Sequence, residues 1–305
     1  MRLGILLKLL STLAFTVMAV GVRVASARIP VAEIVFFRSG VALVPLVLWL
    51  VWIGGFPRHL VTRRPLGHLS RGLSGAAGMY ANFKSLSLLP LADATAYFYV
   101  SPVFVTLIAA LGLREQVHAS RWVAVLIGFG GVLAMMSEHL GVTGVEVHGE
   151  AGLGAAVALA GAAFAALSII QTRRLAVCEY TAAIVFYFTC LTALSGAAVL
   201  AFAHFAPATL SSQAFVAPDA GEWAALIGAG VMGGIAQIFV TASYRYADAS
   251  LLASYDYFTL VWALLASLLV FGQWPSLAVL GGATAIGASG LLAMLGERVF
   301  KAQGC

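Results

Sequence analysis

Two stretches of the chain share one pattern and decide the fold: residues 91–115 (LADATAYFYVSPVFVTLIAALGLRE) and residues 249–273 (ASLLASYDYFTLVWALLASLLVFGQ). They align at an offset of 158 residues, which is 255 minus 97. The matching pairs include Tyr97 with Tyr255, Tyr99 with Tyr257, Val103 with Val261 and Glu115 with Gln273. An internal repeat in a nearly continuously apolar chain predicts a membrane protein built from two similar halves.

The composition excludes a soluble domain. Of 305 residues, 62% are hydrophobic and only 10% are charged, whereas a soluble domain carries about 25% charged residues. The cysteines Cys178, Cys190 and Cys305 form no CxxC or Cys/His cluster, so we expect no disulfide framework, metal or cofactor. The basic residues lie singly or in pairs between apolar runs, which is typical of membrane-protein loops and argues against a nucleic-acid partner.

Ten apolar runs have the length of about 20 residues that a membrane-spanning helix needs. They are 3–22, 31–53, 70–89, 91–113, 120–137, 152–171, 181–203, 222–244, 248–271 and 276–295. With the N-terminus in the cytoplasm, the basic residues outside or near the ends of the spans fall almost entirely on the inner side, and only Arg23 and Arg28 remain outside. This positive-inside bias predicts that both termini are cytoplasmic.

Five spans per half is an odd number, so the second half must enter the membrane from the opposite side. We therefore predict an all-α integral membrane protein with ten transmembrane helices, arranged as two inverted five-helix repeats around a central cavity. The predicted halves are residues 1–147 and 148–305.

Three ionisable residues lie well inside predicted spans: Arg38, Lys84 and Asp256. Such groups are costly in lipid and normally face the bundle interior or water. Tyr80 precedes Lys84 by four residues and therefore shares its helical face. Other interpretations stay open, because Arg38 and Asp256 could have structural partners and Lys84 could extend to the membrane surface along its apolar stem.

Further polar and aromatic residues extend this set. Gln237 and Tyr244 lie on one stripe of span eight, which predicts a cavity lining or a contact with another helix. The tyrosines of the repeat, Tyr97, Tyr99, Tyr255 and Tyr257, are either cavity residues or an interfacial aromatic belt. Pro102 interrupts the backbone hydrogen bonds in the middle of span four and should bend it. We predict Tyr97 as a substrate contact, and Arg38, Pro102, Tyr255 and Tyr257 as structural or gating residues.

Several short motifs in order along the chain indicate a family. They are Phe83-Lys84-Ser85-Leu86 before Ala92, Pro102-Val103-Phe104 in span four, Arg114-Glu115 at its end, and Gly272-Gln273-Trp274-Pro275 after span nine. With these the chain resembles the drug/metabolite transporter superfamily in its ten-span form with two EamA-type halves. Within that superfamily it looks most similar to YddG-type aromatic amino acid exporters of bacterial inner membranes.

The resemblance implies a basket of helices that alternates between outward-open and inward-open states and exports amino acids and related small metabolites. Carried over by position, it implies a set of cavity residues: Tyr80, Asn82, Lys84, Tyr99, Phe164, Gln237, Tyr244 and Asp256. It also places the chain in the bacterial inner membrane, in contact with membrane lipid, and we expect a monomer. A multidrug or other metabolite exporter of the same superfamily is the alternative.

Two other classes of protein fit less well. An intramembrane lipid-modifying enzyme needs paired carboxylates or an activated nucleophile, and no DxxxD, HExxH or GxSxG pattern occurs. A receptor would carry a signalling domain, which we do not find. Since no GxxxxGK[ST] motif is present, transport is expected to be passive, ion-driven or by exchange.

Overall fold

The computed structural model consists of helices and the loops that connect them, and no strand occurs among its described residues. These residues are 2–98, 100–108, 122–123, 126–131, 134, 149–176, 178–205, 215–243, 246, 255, 258–285, 287–289 and 292. The helices are α1 (Arg2–Ala25), α2 (Val31–Trp52), α3 (Pro65–Leu88), α4 (Leu91–Phe98), α5 (Ser101–Leu107), α6 (Gly149–Ala176), α7 (Thr181–Phe205), α8 (Ala220–Ser243) and α9 (Phe258–Phe271). Residues 277–285 are also helical.

Five of these helices are long and apolar enough to cross a membrane: α1, α2, α6, α7 and α8. A helix of 24 residues is about 36 Å long at 1.5 Å per residue, and the hydrocarbon core of a bilayer is about 30 Å thick. The chain is therefore a multi-pass integral membrane protein. The full count of ten spans includes runs that lie partly outside the described residues and stays a prediction.

The helix α3 has the length of a span but is more polar than the five. It begins at Pro65, five residues before the predicted start, because proline fits the first turn of a helix, where no hydrogen-bond donor is needed. It carries Arg71 and Lys84 together with several serines. Polar atoms on a helix in lipid must find partners within the protein; some serines of α3 bond to its own carbonyls, whereas Arg71 and Ser74 also bond to α6.

The fourth predicted span is interrupted. Helix α4 ends at Phe98 and α5 begins at Ser101, with Pro102 in the first turn of α5. Among the described residues of the ninth span, the helix α9 runs from Phe258 to Phe271. Gly272 follows with a φ of 62°, a left-handed conformation that glycine adopts readily and that commonly ends a helix.

Three pairs of helices pack side by side in opposite directions. On α1 and α8, Met18 lies beside Gly233 and Gly21 lies beside Ala225 and Ala229. On α3 and α6, Gly67 lies beside Leu175, Gly78 beside Gly161 and Leu89 beside Gly154. On α2 and α7, Phe36 lies beside Gly196, and Leu46 and Leu50 cluster with Ala182 and Val185. The contacting residues therefore run in opposite order along the two members of each pair.

Glycines set the distance between α3 and α6. A side-chain Cβ at Gly161 would lie 3.1 Å from the Cβ of Ala81 and 3.2 Å from the backbone nitrogen of Asn82. A Cβ at Gly78 would lie 3.3 Å from the carbonyl oxygen of Gly161. Because lipid offers no hydrophobic drive for helix association, this close backbone approach helps to hold the pair together.

The main apolar core lies toward the end of the bundle where α1 stops and α2 begins. It gathers side chains of α1 to α5, α6, α8 and α9, among them Val22, Ile34, Phe83, Leu91 and Leu226, all of which are almost fully buried. We refer to this end as the outer end and to the opposite end as the inner end. The outer ends of these helices are thus packed against one another.

We predict that Gly161→Val lowers the free energy of unfolding by about 1–3 kcal/mol, because the new methyl groups must push α3 away from α6. Thermal unfolding in detergent measures the loss. Gly228→Val on α8 is the matched control, since a Cβ there meets nothing within 4 Å. Equal losses in the two variants would contradict the role given to the close approach.

Candidate functional site

A buried arginine lies where α1, α2 and α8 meet. Arg38 on α2 is 3% exposed, and its Nε and Nη2 atoms each lie 3.3 Å from the Sδ atom of Met18 on α1. A thioether sulfur is a weak acceptor, and no carboxylate of the described residues pairs with Arg38. The guanidinium is therefore an intramembrane cation with little compensation, which is the usual mark of a functional residue.

Gly233 on α8 makes room for this guanidinium. A Cβ at Gly233 would lie 2.9 Å from both Nε and Nη2 of Arg38 and 3.0 Å from the sulfur of Met18. The arginine thus fills space that a glycine of another helix leaves open. Any movement of α8 away from α2 would expose the guanidinium.

A second arginine is enclosed at the inner end. Arg71 on α3 donates from Nε to the hydroxyl of Thr172 on α6 at 2.8 Å. Its guanidinium carbon lies 4.0 Å from the ring centre of Phe188 on α7, a cation–π distance. Its buried Nη1 has no hydrogen-bond partner within the described residues. Arg71 therefore joins three helices, a role that sequence reasoning missed because it assigned the residue to the inner membrane surface.

The predicted residues of α3 separate in the structure. Tyr80 is half-buried, its hydroxyl is enclosed, and it faces Ser195 of α7 without a hydrogen bond of normal geometry. Asn82 is also half-buried, whereas Lys84 is exposed. At 100° per residue, Lys84 lies on the same stripe as the exposed Leu73. This exposure favours the alternative in which Lys84 extends along the surface, and a substrate contact by Lys84 stays a prediction.

The other predicted site residues have varied surroundings. Tyr97 is fully buried in the main core, against which Tyr80 also packs. Phe164 on α6 is 40% exposed, and Gln237 on α8 is half-buried. Tyr255 stacks on Phe258 with ring centres 6.1 Å apart. Four predicted residues lie outside the described part of the chain: Tyr99, Tyr244, Asp256 and Tyr257.

At the outer end, polar contacts join the turn after α1 to the start of α8. Arg28 donates from Nε to Glu222 at 2.8 Å, and this hydrogen bond raises the pKa of Arg28 above its ordinary value. Asp219 and Glu222 exchange hydrogen bonds with each other's backbone N–H at 2.8 Å, which caps α8. The fully buried Glu33 accepts from the backbone N–H of Val216 at 2.9 Å. These contacts tie the two predicted halves at their outer ends.

At the inner end, Glu179 joins the loop before α7 to the loop before α3. It accepts hydrogen bonds from the Thr62 hydroxyl at 2.9 Å and from the Arg63 backbone N–H at 3.0 Å, and it lies 3.8 Å from the buried Nε2 of His68. Burial alone would raise the pKa of Glu179, but these hydrogen bonds and His68 together lower it below the ordinary 4.5. The ionised carboxylate is therefore the form that the folded protein favours.

The sign of this pKa shift gives a prediction. Glu179 stabilises the fold above pH 4.5, and this contribution is lost as the pH falls through the lowered pKa. We expect the unfolding temperature of the wild type to fall more between neutral pH and acid than that of Glu179→Gln. Glu150→Gln, at an exposed position in the first turn of α6, is the control, and its unfolding temperature should change with pH as that of the wild type does. Parallel curves for all three proteins would refute the role of Glu179.

Two hollows follow the groove between α3 and α6. One, of about 470 Å³, is lined by Arg63, Arg64, Pro65, Leu66, Gly67, Ser70, Gln171, Arg174 and Leu175. The other, of about 510 Å³, is lined by Leu66, Leu69, Ser70, Leu73, Ser74, Phe164, Leu167 and Gln171. Of the predicted substrate contacts only Phe164 lines either hollow. No group of three His, Cys, Asp or Glu side chains that could hold a metal is found among the residues described.

Comparison with known proteins identifies the class. Residues 2–137 match the model of the EamA-like transporter family. The chain is 31% identical over 268 residues to the pseudopaline exporter CntI of Pseudomonas aeruginosa (strain UCBPP-PA14), covering 86% of this chain and 85% of the relative. It is 32% identical over 263 residues to a riboflavin transporter of Brucella anthropi, with 86% and 87% covered, and 28% identical over 254 residues to an S-adenosylmethionine uptake transporter of Rickettsia prowazekii, with 83% and 79% covered.

The fold has a counterpart among solved structures. One crystal structure superimposes with a TM-score of 0.66 over 97% of this chain and 98% of the other, at 20% identity. The family match and the relatives show that the protein is a membrane transporter of small metabolites and not an enzyme. It belongs to the EamA-like transporter family. The predicted closeness to YddG-type aromatic amino acid exporters is not confirmed by these relatives.

Proposed function

We propose that this transporter exports amino acids and related small metabolites by alternating access. The observation that carries the proposal is the guanidinium of Arg38, enclosed between helices of the two halves with only a thioether as acceptor. Among the relatives, one is named for S-adenosylmethionine, an amino-acid derivative, whereas riboflavin contains no amino acid. Related carriers thus accept different metabolites, and the side chains of the cavity must select between them.

The proposed architecture is the ten-helix inverted repeat with halves 1–147 and 148–305. Arg23 donates to the carbonyl of Leu86, which puts the C-terminal ends of α1 and α3 together, and α6 packs antiparallel to α3. The first helix of the second half, α6, thus runs opposite to the first helix of the chain. This direction supports an inverted repeat.

The pairing of helices supports the same proposal. The helices pack in three pairs: α1 with α8, α3 with α6, and α2 with α7. If α6, α7 and α8 are the first three helices of the second half, the first helix of each half packs on the third of the other, and the second helices pack on each other. A two-fold axis produces this exchange, because it requires that contacts between two copies occur in reciprocal pairs. The halves would then rock against each other around the axis.

In this mechanism Arg38 meets the substrate carboxylate when the halves separate. Met18 belongs to the first half and Gly233 to the second, so separation uncovers the guanidinium while leaving only a weak acceptor beside it. An uncompensated charge at this depth is unfavourable. A carboxylate would supply the missing partner and thereby favour the open state over the closed one. Lys84 is the alternative cation for this role.

The aromatic residues would meet the remainder of the substrate. Tyr80 and Tyr97 pack against the same core, and the face of a tyrosine ring attracts an ammonium group by about 0.5–2 kcal/mol. Tyr99, Tyr244 and Asp256 complete the proposed site. We place the protein in the bacterial inner membrane as a monomer. We propose that both termini are cytoplasmic, because the basic loop residues lie mostly at the inner end.

Replacement of Arg38 by methionine separates a structural role from a functional one. A buried charge exchanged for an apolar side chain of similar size is often neutral or stabilising, so Arg38→Met should unfold at the same or a higher temperature. Loss of a charge-assisted hydrogen bond worth about 1.5–3 kcal/mol should lower transport about tenfold or more. The measurement is flux of labelled amino acids, S-adenosylmethionine and riboflavin in liposomes.

The exposed Arg58 provides the control, since Arg58→Met removes the same charge from an inner loop and should transport like the wild type. Lys84→Ala tests the alternative cation in the same assay. Wild-type flux in Arg38→Met would remove Arg38 from the mechanism. Transport of riboflavin without any amino acid would favour the broader metabolite exporter.

The driving force is tested by imposing a pH gradient on the same liposomes. Asp256 is the one acid of the chain predicted deep within a span, so proton coupling should require it. If protons drive transport, the gradient accelerates wild-type flux severalfold and leaves Asp256→Asn at its basal rate. Equal flux with and without the gradient in both proteins would exclude proton coupling.

A further inference from the structure

We propose that the groove between α3 and α6 is a binding site for one anionic phospholipid of the leaflet at the inner end, the cytoplasmic leaflet in the proposed topology. The two hollows of this groove adjoin, since Leu66, Ser70 and Gln171 line both. We call them the basic hollow, which contains Arg63, Arg64 and Arg174, and the apolar hollow, which contains Leu69, Leu73, Phe164 and Leu167. The proposal does not depend on the identity of the transported substrate.

The basic hollow has an excess of positive charge. The side chains of Arg63, Arg64 and Arg174 are exposed, and no carboxylate within the described ranges pairs with them. Glu179 is engaged by Thr62, by the backbone N–H of Arg63 and by its contact with His68. Guanidinium groups match the geometry of phosphate oxygens, and basic pockets between transmembrane helices on this side of a membrane are suited to anionic headgroups.

The chemistry of the lining changes in order along the groove. Next to the arginines come the Ser70 hydroxyl and the amide of Gln171, whose oxygen accepts from Ser74 at 3.1 Å. Its nitrogen makes no hydrogen bond among the side chains that the structure describes, so it can donate to an ester oxygen. Apolar side chains follow. Ten residues separate Arg174 from Phe164, about 15 Å of helix, which is half of a hydrocarbon core about 30 Å thick.

The groove opens toward lipid. Leu66 and Leu73 are 79% and 60% exposed, and they lie on one stripe of α3. A different side of α3 faces the bundle, where Gly72 contacts Leu191 of α7 and Phe83 enters the main core. A ligand that fills both hollows therefore needs a charged head beside the arginines and apolar chains beside the leucines. A phospholipid in one leaflet has its head and chains in this order. A free phosphate would use only the basic hollow.

Native mass spectrometry of the purified protein tests the proposal. The protein is released from detergent after incubation with equal amounts of phosphatidylglycerol and phosphatidylcholine. Phosphatidylglycerol should be retained about fivefold or more over phosphatidylcholine, the factor that one arginine near an anionic surface supplies. The double variant Arg64→Gln, Arg174→Gln should lose this preference. The control double variant, Arg2→Gln with Arg58→Gln, removes two exposed basic charges elsewhere and should retain the preference for phosphatidylglycerol.

The apolar hollow is tested by a second pair of variants. Leu73→Trp fills it and should lower retention of phosphatidylglycerol, whereas Leu48→Trp, at an exposed position of α2, should not. Because all these side chains are exposed, the variants should fold, and thermal unfolding verifies this.

Several results would overturn the site: equal retention of the two lipids by the wild type, unchanged preference in the Arg64, Arg174 variant, or an equal loss in the Arg2, Arg58 control. Displacement of phosphatidylglycerol by soluble glycerol phosphate at equal concentration would assign the basic hollow to a free anion instead.

Discussion

A bilayer interior supplies no hydrogen-bond partner, and the whole arrangement depends on this constraint. Each polar group that the chain carries into the membrane must be satisfied by another part of the chain or by something that enters with it. The structure meets the requirement in most places by pairing helices, as where Arg71 finds Thr172 and the ring of Phe188. Arg38 is one exception, since a sulfur atom is its acceptor. An incomplete shell around a cation is a place where an anion can act.

Small residues make these pairings possible. Gly78 and Gly161 bring two backbones together, and Gly233 leaves room for a guanidinium. The missing side chains therefore have two effects. They allow close contact between helices, and at Gly233 they leave space for the guanidinium of Arg38. Both depend on the relative position of neighbouring helices, so the proposed rocking motion would change them together.

The relatives show that one framework carries different solutes, because a pseudopaline exporter, a riboflavin transporter and an S-adenosylmethionine uptake transporter each align over most of this chain. Packing of apolar helix faces tolerates many substitutions as long as volume and pattern are kept. A cavity lined by a few polar and aromatic groups can then change its preference without change of fold. Uptake and export likewise occur within one architecture, since the direction of flux follows from gradients and from the relative stability of the two open states.

Composition and hydropathy alone determined that this is a helical membrane protein, and they located most of its helices to within a few residues. The position of Pro102 in the sequence also indicated the break in span four. These features are local, because the length of an apolar run and the geometry of proline act within one turn or one helix. Short motifs likewise indicated the EamA-like family. Sequence could not decide which face of α3 is turned inward, and it left open whether Lys84 lines a cavity or extends outward; in the structure its side chain is exposed. Only the tertiary structure decided that Arg38 and Arg71 are enclosed and that a groove lies between α3 and α6, because burial depends on which helices become neighbours across the chain, and no periodicity within a single helix records that.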